Sequence, residues 1–233
     1  MGLQRPWPPK VPGVAVNYSS DREGAERVAQ AIIDSGSKAI AVGADVSKSA
    51  DVARLFKEVD SAFGRLDVLV NNAGVFRFGT FTEITQESFH KHYDINVLGT
   101  ILTVQEAIKR FGPEGGSIIN LSSIVASHPV AGALLYASTK GAIETLTRGL
   151  AIELAPRKIR VNAIAPGHTE TEDNLTAGTF EGGAGTVLAA QTPLGRLGRV
   201  SDIAPLAVFL ASDESAWITG EVIRAAGGLV VAR

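Results

Sequence analysis

Short runs rich in Val, Ile, Leu and Ala alternate along this chain with longer stretches whose apolar residues recur at the spacing of one helix face. The apolar runs are Val14 to Asn17, Ala39 to Ala44, Leu66 to Val70, Ser117 to Leu121, Ile159 to Ile164 and Glu221 to Ala225. Between them the helical pattern covers Arg22 to Asp34, Ser49 to Phe63, Gln86 to Arg110, Tyr136 to Leu154 and Asp202 to Ala211. Strands separated by helices predict βαβ units in a parallel sheet. The strands are nearly continuous in apolar residues, as expected where helices cover both faces. The pattern therefore predicts an α/β fold, a doubly wound, Rossmann-like parallel sheet in a single domain.

Punctuation agrees with these boundaries. Gly36, Gly64 and Pro156 fall at or just past helix ends, and Ser49 and Ser201 precede helical patterns as candidate N-caps. The segment Glu172 to Thr192, rich in Gly and Thr, breaks the alternation and reads as an irregular lid or binding loop. It carries one aromatic residue, Phe180, with acidic Glu172, Asp173 and Glu181, which fits a small polar substrate better than a steroid.

Composition narrows the function classes. The chain has 233 residues, enough for one domain with a sizeable core, and 22 Lys+Arg against 24 Asp+Glu leave a net charge of −2 with no long block of either sign. That speaks against nucleic acid or an anionic membrane as partner. With 0 Cys, disulfides, thiolate catalysis and Cys-based zinc sites are excluded. No secretory or membrane-spanning pattern is visible, and the expectation is a soluble, cytoplasmic protein. His90, His92, His128 and His168 show no metal-ligand spacing and read as surface or loop histidines; His128 and His168 flank the expected crevice.

The candidate chemistry sits at the start of one helix. Tyr136 and Lys140 stand one helical turn apart on a common face and can act on one small volume. A phenol normally titrates near ~10, and a neighbouring ammonium lowers it toward the range of a usable acid/base. Ser123 lies just beyond the C-terminal end of the strand Ser117 to Leu121, where open α/β sheets place their ligand crevice. Taken alone, a Tyr-x-x-x-Lys pair is common and usually an exposed Tyr lying on a Lys stem.

The context is more specific. The stretch IINLSSIVASHPVAGALLYASTKGAIETLTRGLAIELAPRKIRVNAIAPG, Ile118 to Gly167, and Asn-Asn-Ala-Gly at Asn71 to Gly74 resemble the short-chain dehydrogenase/reductase family, and the likeness runs from about Gly13 to Gly228. The resemblance implies hydride transfer between NADP(H) or NAD(H) and a carbonyl/alcohol substrate. It implies Tyr136 as proton donor/acceptor, Lys140 as the residue that lowers its pKa and holds the nicotinamide ribose, and Ser123 as the carbonyl-orienting hydroxyl. Asn96, in Asn-Val-Leu-Gly, resembles the family's Asn that shapes the site and anchors a proton-relay water. Ser122 adjoins Ser123, and the thirteen-residue spacing to Tyr136 selects Ser123. Asp45 and Val46 resemble the adenine-contacting pair, although Asp45 also suits a helix cap. Asn72, Ala73 and Gly74 resemble the turn beside the adenine ribose, and Pro166, Gly167, Thr169 and Thr171 the loop at the carboxamide and pyrophosphate. At the end of the first strand Tyr18 and Ser19 stand where an acid would select NAD, so NADP(H) is favoured over NAD(H). No metal is implied, and a homo-oligomer, dimer or tetramer, is.

One departure is large. Family members open with a strand and the pattern Thr-Gly-x-x-x-Gly-x-Gly, which brings a pyrophosphate to a helix N-terminus, and nothing here matches it. The chain reads as residues 1–13, an irregular Pro-rich leader, and residues 14–233, a truncated dehydrogenase domain about 25 to 30 residues shorter than the doubly wound template. The missing strand is the central one, so a gap, or a sheet that has closed up, is expected. The alternative function is a non-catalytic remnant with impaired cofactor binding, acting as a subunit or binding module. Ala226, before Gly227 and Gly228, also stands where the family usually has Asp.

Overall fold

The computed structural model describes residues 13–176 and 178–229. The expected leader, apart from Gly13, lies outside the described residues. In chain order the elements are β1 (Val14–Tyr18), α1 (Arg22–Asp34), β2 (Ala39–Gly43), α2 (Ser49–Phe63), β3 (Val68–Asn71), α3 (Gln86–Tyr93), α4 (Gly99–Ala107), β4 (Gly116–Leu121), α5 (Leu134–Leu154), β5 (Ile159–Pro166), β6 (Thr169–Glu170), α6 (Glu172–Thr176), α7 (Ala184–Gln191), β7 (Gly198–Arg199), α8 (Val200–Ala211) and β8 (Val222–Ala225).

The main sheet has the order β3-β4-β5-β8, all parallel, with Val68 opposite Ser117 and Gly116 opposite Ile159. Consecutive residues of β4 show why it must be covered twice. Ile118 packs into a core with Val52, Phe56, Val104 and Val161, while its neighbour Ile119 joins Ile164 and Leu210 on the other face. Side chains alternate across a strand, so two adjacent buried isoleucines require a helix layer on each side. Helices α2, α4 and α5 supply one layer and α8 the other, which is the doubly wound arrangement expected from the alternation.

β1 and β2 form a separate parallel pair, with Val14 opposite Ala39 and Tyr18 opposite Gly43. Asn17 reinforces it, its Nδ2 donating to Val42 O at 3.1 Å and Ala44 O at 3.0 Å. No pairing joins β1 to β3 among the described residues, so the sheet has not closed up by pairing these two strands. The two sheets nevertheless share a core, because Ile40 and Val42 of β2 belong to the same cluster as Leu69 of β3 and Ile118 of β4. On β3, Val70 is 46% exposed, whereas Ile118 and Ile119 are fully buried.

Three local expectations are corrected. The helix expected over Gln86 to Arg110 is interrupted by a π-helical turn, Asp94–Leu98. Thr100 Oγ1 bonds back to Asn96 O at 2.9 Å and Thr103 Oγ1 to Gly99 O at 2.9 Å, contacts that bend a helix. The segment Glu172 to Thr192 is not wholly irregular, since it holds the short helices α6 and α7. Neither Ser49 nor Ser201 is an N-cap. Lys48 and Arg199 occupy those positions, and at α8 the Asp202 carboxylate, in the first turn, reaches back to accept from Arg199 N at 2.8 Å.

Candidate active site

The reactive residues gather at the C-terminal end of β4. Its last carbonyl, Leu121 O, accepts from Lys140 Nζ at 2.7 Å, which draws the lysine of α5 under the strand end. An ammonium has three donors, and this bond uses one of them. Lys140 is buried, and burial drives its pKa down to about 8. Its nitrogen lies over the Tyr136 ring, 5.5 Å from the centroid. Burial pushes the Tyr136 phenol up, and the Ser123 hydroxyl, which can donate to a phenolate, pulls it the other way. The ammonium sits over the ring and is committed to a backbone carbonyl. The lowering of Tyr136 expected from Lys140 is therefore not delivered by this resting geometry.

Asn96 reaches the same place from the π-helical turn and is 1% exposed. Its Oδ1 accepts from Val75 N at 2.8 Å, and its Nδ2 donates to Val75 O at 2.9 Å and to Thr139 Oγ1 at 3.1 Å. The side chain is thus used up in fixing the backbone after β3 and the start of α5. Gly74 shows how closely these groups converge. A Cβ there would stand 3.3 Å from Asn96 Oδ1 and 3.7 Å from Lys140 Nζ, so the absent side chain leaves a small cradle above the lysine. Ser122 turns away, its Oγ donating to Glu144 Oε1 at 3.2 Å, which leaves Ser123 as the serine on the Tyr136 side.

The expected cofactor residues divide into two groups. Gly167 and Pro166 follow β5 beside the strand end, with Gly167 N donating to Ala225 O at 3.0 Å; a Cβ on Gly167 would meet Ala226 at 2.9 Å. Thr169 is buried in β6, and Thr171 caps α6 by accepting from Asn174 N at 3.2 Å. Val46 and Ala73 line one small hollow with Asn71 and Gly99, while Asn72 and Gly74 are exposed next to them. Asp45 is not a cap of α2, whose N-cap is Lys48; it accepts from Ser47 N at 3.0 Å and Ser47 Oγ at 2.6 Å in the turn before that helix, and these bonds hold its carboxyl below the usual range. Tyr18 lies over Gly43 on the β1-β2 pair, and Ser19 is exposed beyond it. These two belong to the other sheet, and no contact brings them to the Tyr136 group.

Fit to a nicotinamide dinucleotide is therefore uneven. The cradle at Gly74, with two unused donors on Lys140, suits a ribose diol beside the phenol. For the pyrophosphate, no glycine-rich turn leads into a helix N-terminus beside Asp45 and Asn71 among the described residues.

Several residues that hold this site escaped the sequence reading. Asn71 donates from Nδ2 to Asn120 Oδ1 at 2.9 Å and accepts from Thr103 Oγ1 at 2.7 Å, while Asn120 donates to Thr147 Oγ1 at 2.9 Å, a polar chain tying β3 and β4 to α4 and α5. His92 is not a surface histidine. It is 1% exposed, with Nδ1 donating to Ser88 O at 2.8 Å and Nε2 accepting from Arg77 N at 3.1 Å. Its place at the inward end of α3, four residues before Asn96, was the available signal. His168 is half-buried and depressed by that burial, and lines a cavity of about 220 Å³ with Thr192, Arg196 and Arg224. Among the described residues no group of three side chains could hold a metal ion, and no helix is long and apolar enough to cross a membrane.

The chain as a whole is similar to known proteins. A family model described as enoyl-(acyl carrier protein) reductase matches residues 13–230. An uncharacterised oxidoreductase of Methylorubrum extorquens is 50% identical over 216 residues, 93% of this chain and 87% of that protein. A 3-oxoacyl-(acyl-carrier-protein) reductase of Staphylococcus aureus is 38% identical, covering 93% of this chain and 87% of its own. Tetrahydroxynaphthalene reductase of Pyricularia oryzae is 37% identical, covering 92% and 80%. Among solved structures, a protein described as a short-chain alcohol dehydrogenase of Sinorhizobium meliloti superimposes with a TM-score of 0.90 at 33% identity, covering 95% of this chain and 87% of that one.

Proposed function

This chain belongs to the short-chain dehydrogenase/reductase family and is an oxidoreductase of that hydride-transferring type, and from that premise we propose the roles of its residues. Tyr136 gives a proton to the substrate oxygen in reduction and takes it back in oxidation. Ser123 donates to the same oxygen and orients it. Lys140 holds the ribose hydroxyls with its two remaining donors and, once drawn toward the phenol side, favours the phenolate. Asn96 acts by fixing Val75 and Thr139, and so the floor of the crevice. A nicotinamide, when bound, supplies or accepts the hydride.

The observation that carries this reading is the convergence of a buried Lys140, the Tyr136 ring, Ser123 and Asn96 on one strand end. It is tested by Tyr136→Phe, which keeps the ring and removes the proton. Turnover should fall by about 10²- to 10⁴-fold, the range for losing a positioned acid/base, with an unchanged melting curve. Turnover retained in a folded variant would refute the assignment.

For the remainder of the cofactor, Pro166, Gly167, Thr169 and Thr171 would meet the carboxamide end, and Asn72, Ala73, Gly74, Asp45 and Val46 the adenosine end. NADP(H) is preferred. Tyr18 and Ser19 at the end of β1 carry no carboxylate for a ribose 2′-hydroxyl, and Asp21, the nearest one, serves as the N-cap of α1, accepting from Gly24 N at 2.8 Å. The enzyme works in the cytoplasm as a homo-oligomer on a small molecule. A 3-oxoacyl carrier-protein thioester and a tetrahydroxynaphthalene, named for two of the relatives, are candidate substrate classes.

A second reading is favoured by one observation. With neither a pyrophosphate cradle nor a strand between β1 and β3 among the described residues, the chain would bind dinucleotide too weakly to turn over and would serve as a subunit or binding module. Titration with NADPH and NADH, read by nicotinamide fluorescence and by thermal melting, separates the two. Saturable binding that raises the melting temperature, stronger for NADPH, supports the enzyme. A well-folded protein that responds to neither cofactor supports the remnant.

A further inference from the structure

The segment that follows β3 is pinned at every second residue. Val75 is bonded through both its N–H and its carbonyl to the Asn96 amide, Arg77 N donates to His92 Nε2 at 3.1 Å, and Gly79 N donates to Gly132 O at 2.9 Å. The two residues between these fixed points, 76 and 78, have their side chains in contact. Both are Phe. The Phe76 ring lies 6.0 Å from the Tyr136 ring, tilted, and 6.2 Å from Phe78, edge to face. The three rings form a file that runs outward from the reactive phenol, and its outer member, Phe78, is 61% exposed. The Gly79 to Gly132 bond brings the loop before α5 alongside, where Val130 and Leu134 are also exposed. An apolar surface held rigidly in water beside a reactive group is the mark of a binding wall.

We infer that the substrate carries its reactive carbonyl on, or directly beside, a flat aromatic or fused ring that packs against Phe78 and Phe76 while its oxygen reaches Tyr136 and Ser123. This rests on the oxidoreductase reading above and adds the substrate class. It reverses the expectation of a small polar substrate, which came from the aromatic-poor segment Glu172 to Thr192; the aromatic side chains come instead from the wall after β3. A ring gains from edge and face contacts that a flexible acyl chain of equal carbon count does not make, and it has less freedom to lose.

The test compares β-tetralone, a fused-ring ketone, with acetoacetyl-N-acetylcysteamine, a linear 3-oxothioester. Binding is read by saturation-transfer NMR without cofactor, and turnover separately with NADPH, for the natural protein and for Phe78→Leu. The exposed position of Phe78 lets the ring be lost while apolarity and fold are kept, and a melting curve checks the latter. The ring ketone should bind about tenfold more tightly than the linear one, and Phe78→Leu should remove about three- to tenfold of that binding while leaving the linear compound unaffected. Equal affinity for the two compounds in the natural protein overturns the inference, as does Phe78→Leu with unchanged ring binding or with an altered oligomeric state as its only effect. Selective ring binding without any turnover keeps the ring specificity and sinks the oxidoreductase reading. Turnover of both compounds with equal efficiency keeps the oxidoreductase and sinks the ring specificity.

Discussion

At the scale of single residues, the buried Lys140 makes the sharpest claim. In the unfolded chain its amine keeps the proton up to the ordinary 10.5, whereas in the folded protein it releases it near 8. Between those values unfolding takes up a proton, so stability should rise with pH through this window and gain nothing from this group below it. The full effect is on the order of 3 kcal/mol, from one pKa unit being worth about 1.4 kcal/mol. Lys140→Met removes the titration and keeps the stem. The difference in melting temperature between the natural protein and this variant should therefore move in favour of the natural protein as pH goes from 8 to 10. A difference that does not change over that range would mean that the amine is not desolvated. The same residue also shows where spacing stops being informative. Four positions on one helix guaranteed that Lys140 and Tyr136 would be neighbours, but the choice of Leu121 O as the lysine's acceptor was made by another element.

At the scale of elements, the contact of Gly99 with Val46 is a small hinge on which the crevice depends. Gly99 has ordinary helical angles, so its value lies in space rather than backbone freedom. A Cβ there would stand 2.8 Å from Val46 Cγ2 and 3.3 Å from Val46 Cβ, and the second contact is not moved by a rotamer change. Alanine would gain about 1 kcal/mol in helix propensity but lose about 1 to 3 kcal/mol to overpacking. Gly99→Ala should therefore be destabilising on balance in a denaturant titration, and the same change in a Val46→Ala background should cost less. If both backgrounds respond alike, the contact is not what Gly99 provides. The broken helix between α3 and α4 belongs to this scale too. Its hydrophobic pattern is continuous and gave no sign of a π-helical turn, because the turn is stabilised by Thr100, Thr103 and the Asn96 to Val75 bonds rather than by periodicity.

At the scale of the whole molecule, the divided sheet should govern stability. β4 and β5 are paired on both sides and buried on both faces, whereas β1 and β3 each lack a second partner among the described residues. Local opening follows such differences in burial and pairing. Backbone amides of β1 and β2 should then exchange with solvent well before those of β4 and β5, as followed by hydrogen-exchange mass spectrometry. Uniform protection across the six strands would show that the missing pairing has no energetic consequence. The sequence by itself determined the order and kind of the elements, the double covering of the strands, and the Tyr136 and Lys140 pair. All of these rest on spacing within one segment, where 3.6- and 2-residue periods leave a direct trace. Only the tertiary structure decided that Ser122 turns to Glu144, that His92 is buried beside Arg77, and that Phe76 lies against Tyr136 with Phe78 against Phe76. It also decided that β1 and β3 stay unpaired among the described residues. Each of these is set by which elements the sheet order brings together, and residues distant in sequence carry no local pattern that announces their meeting.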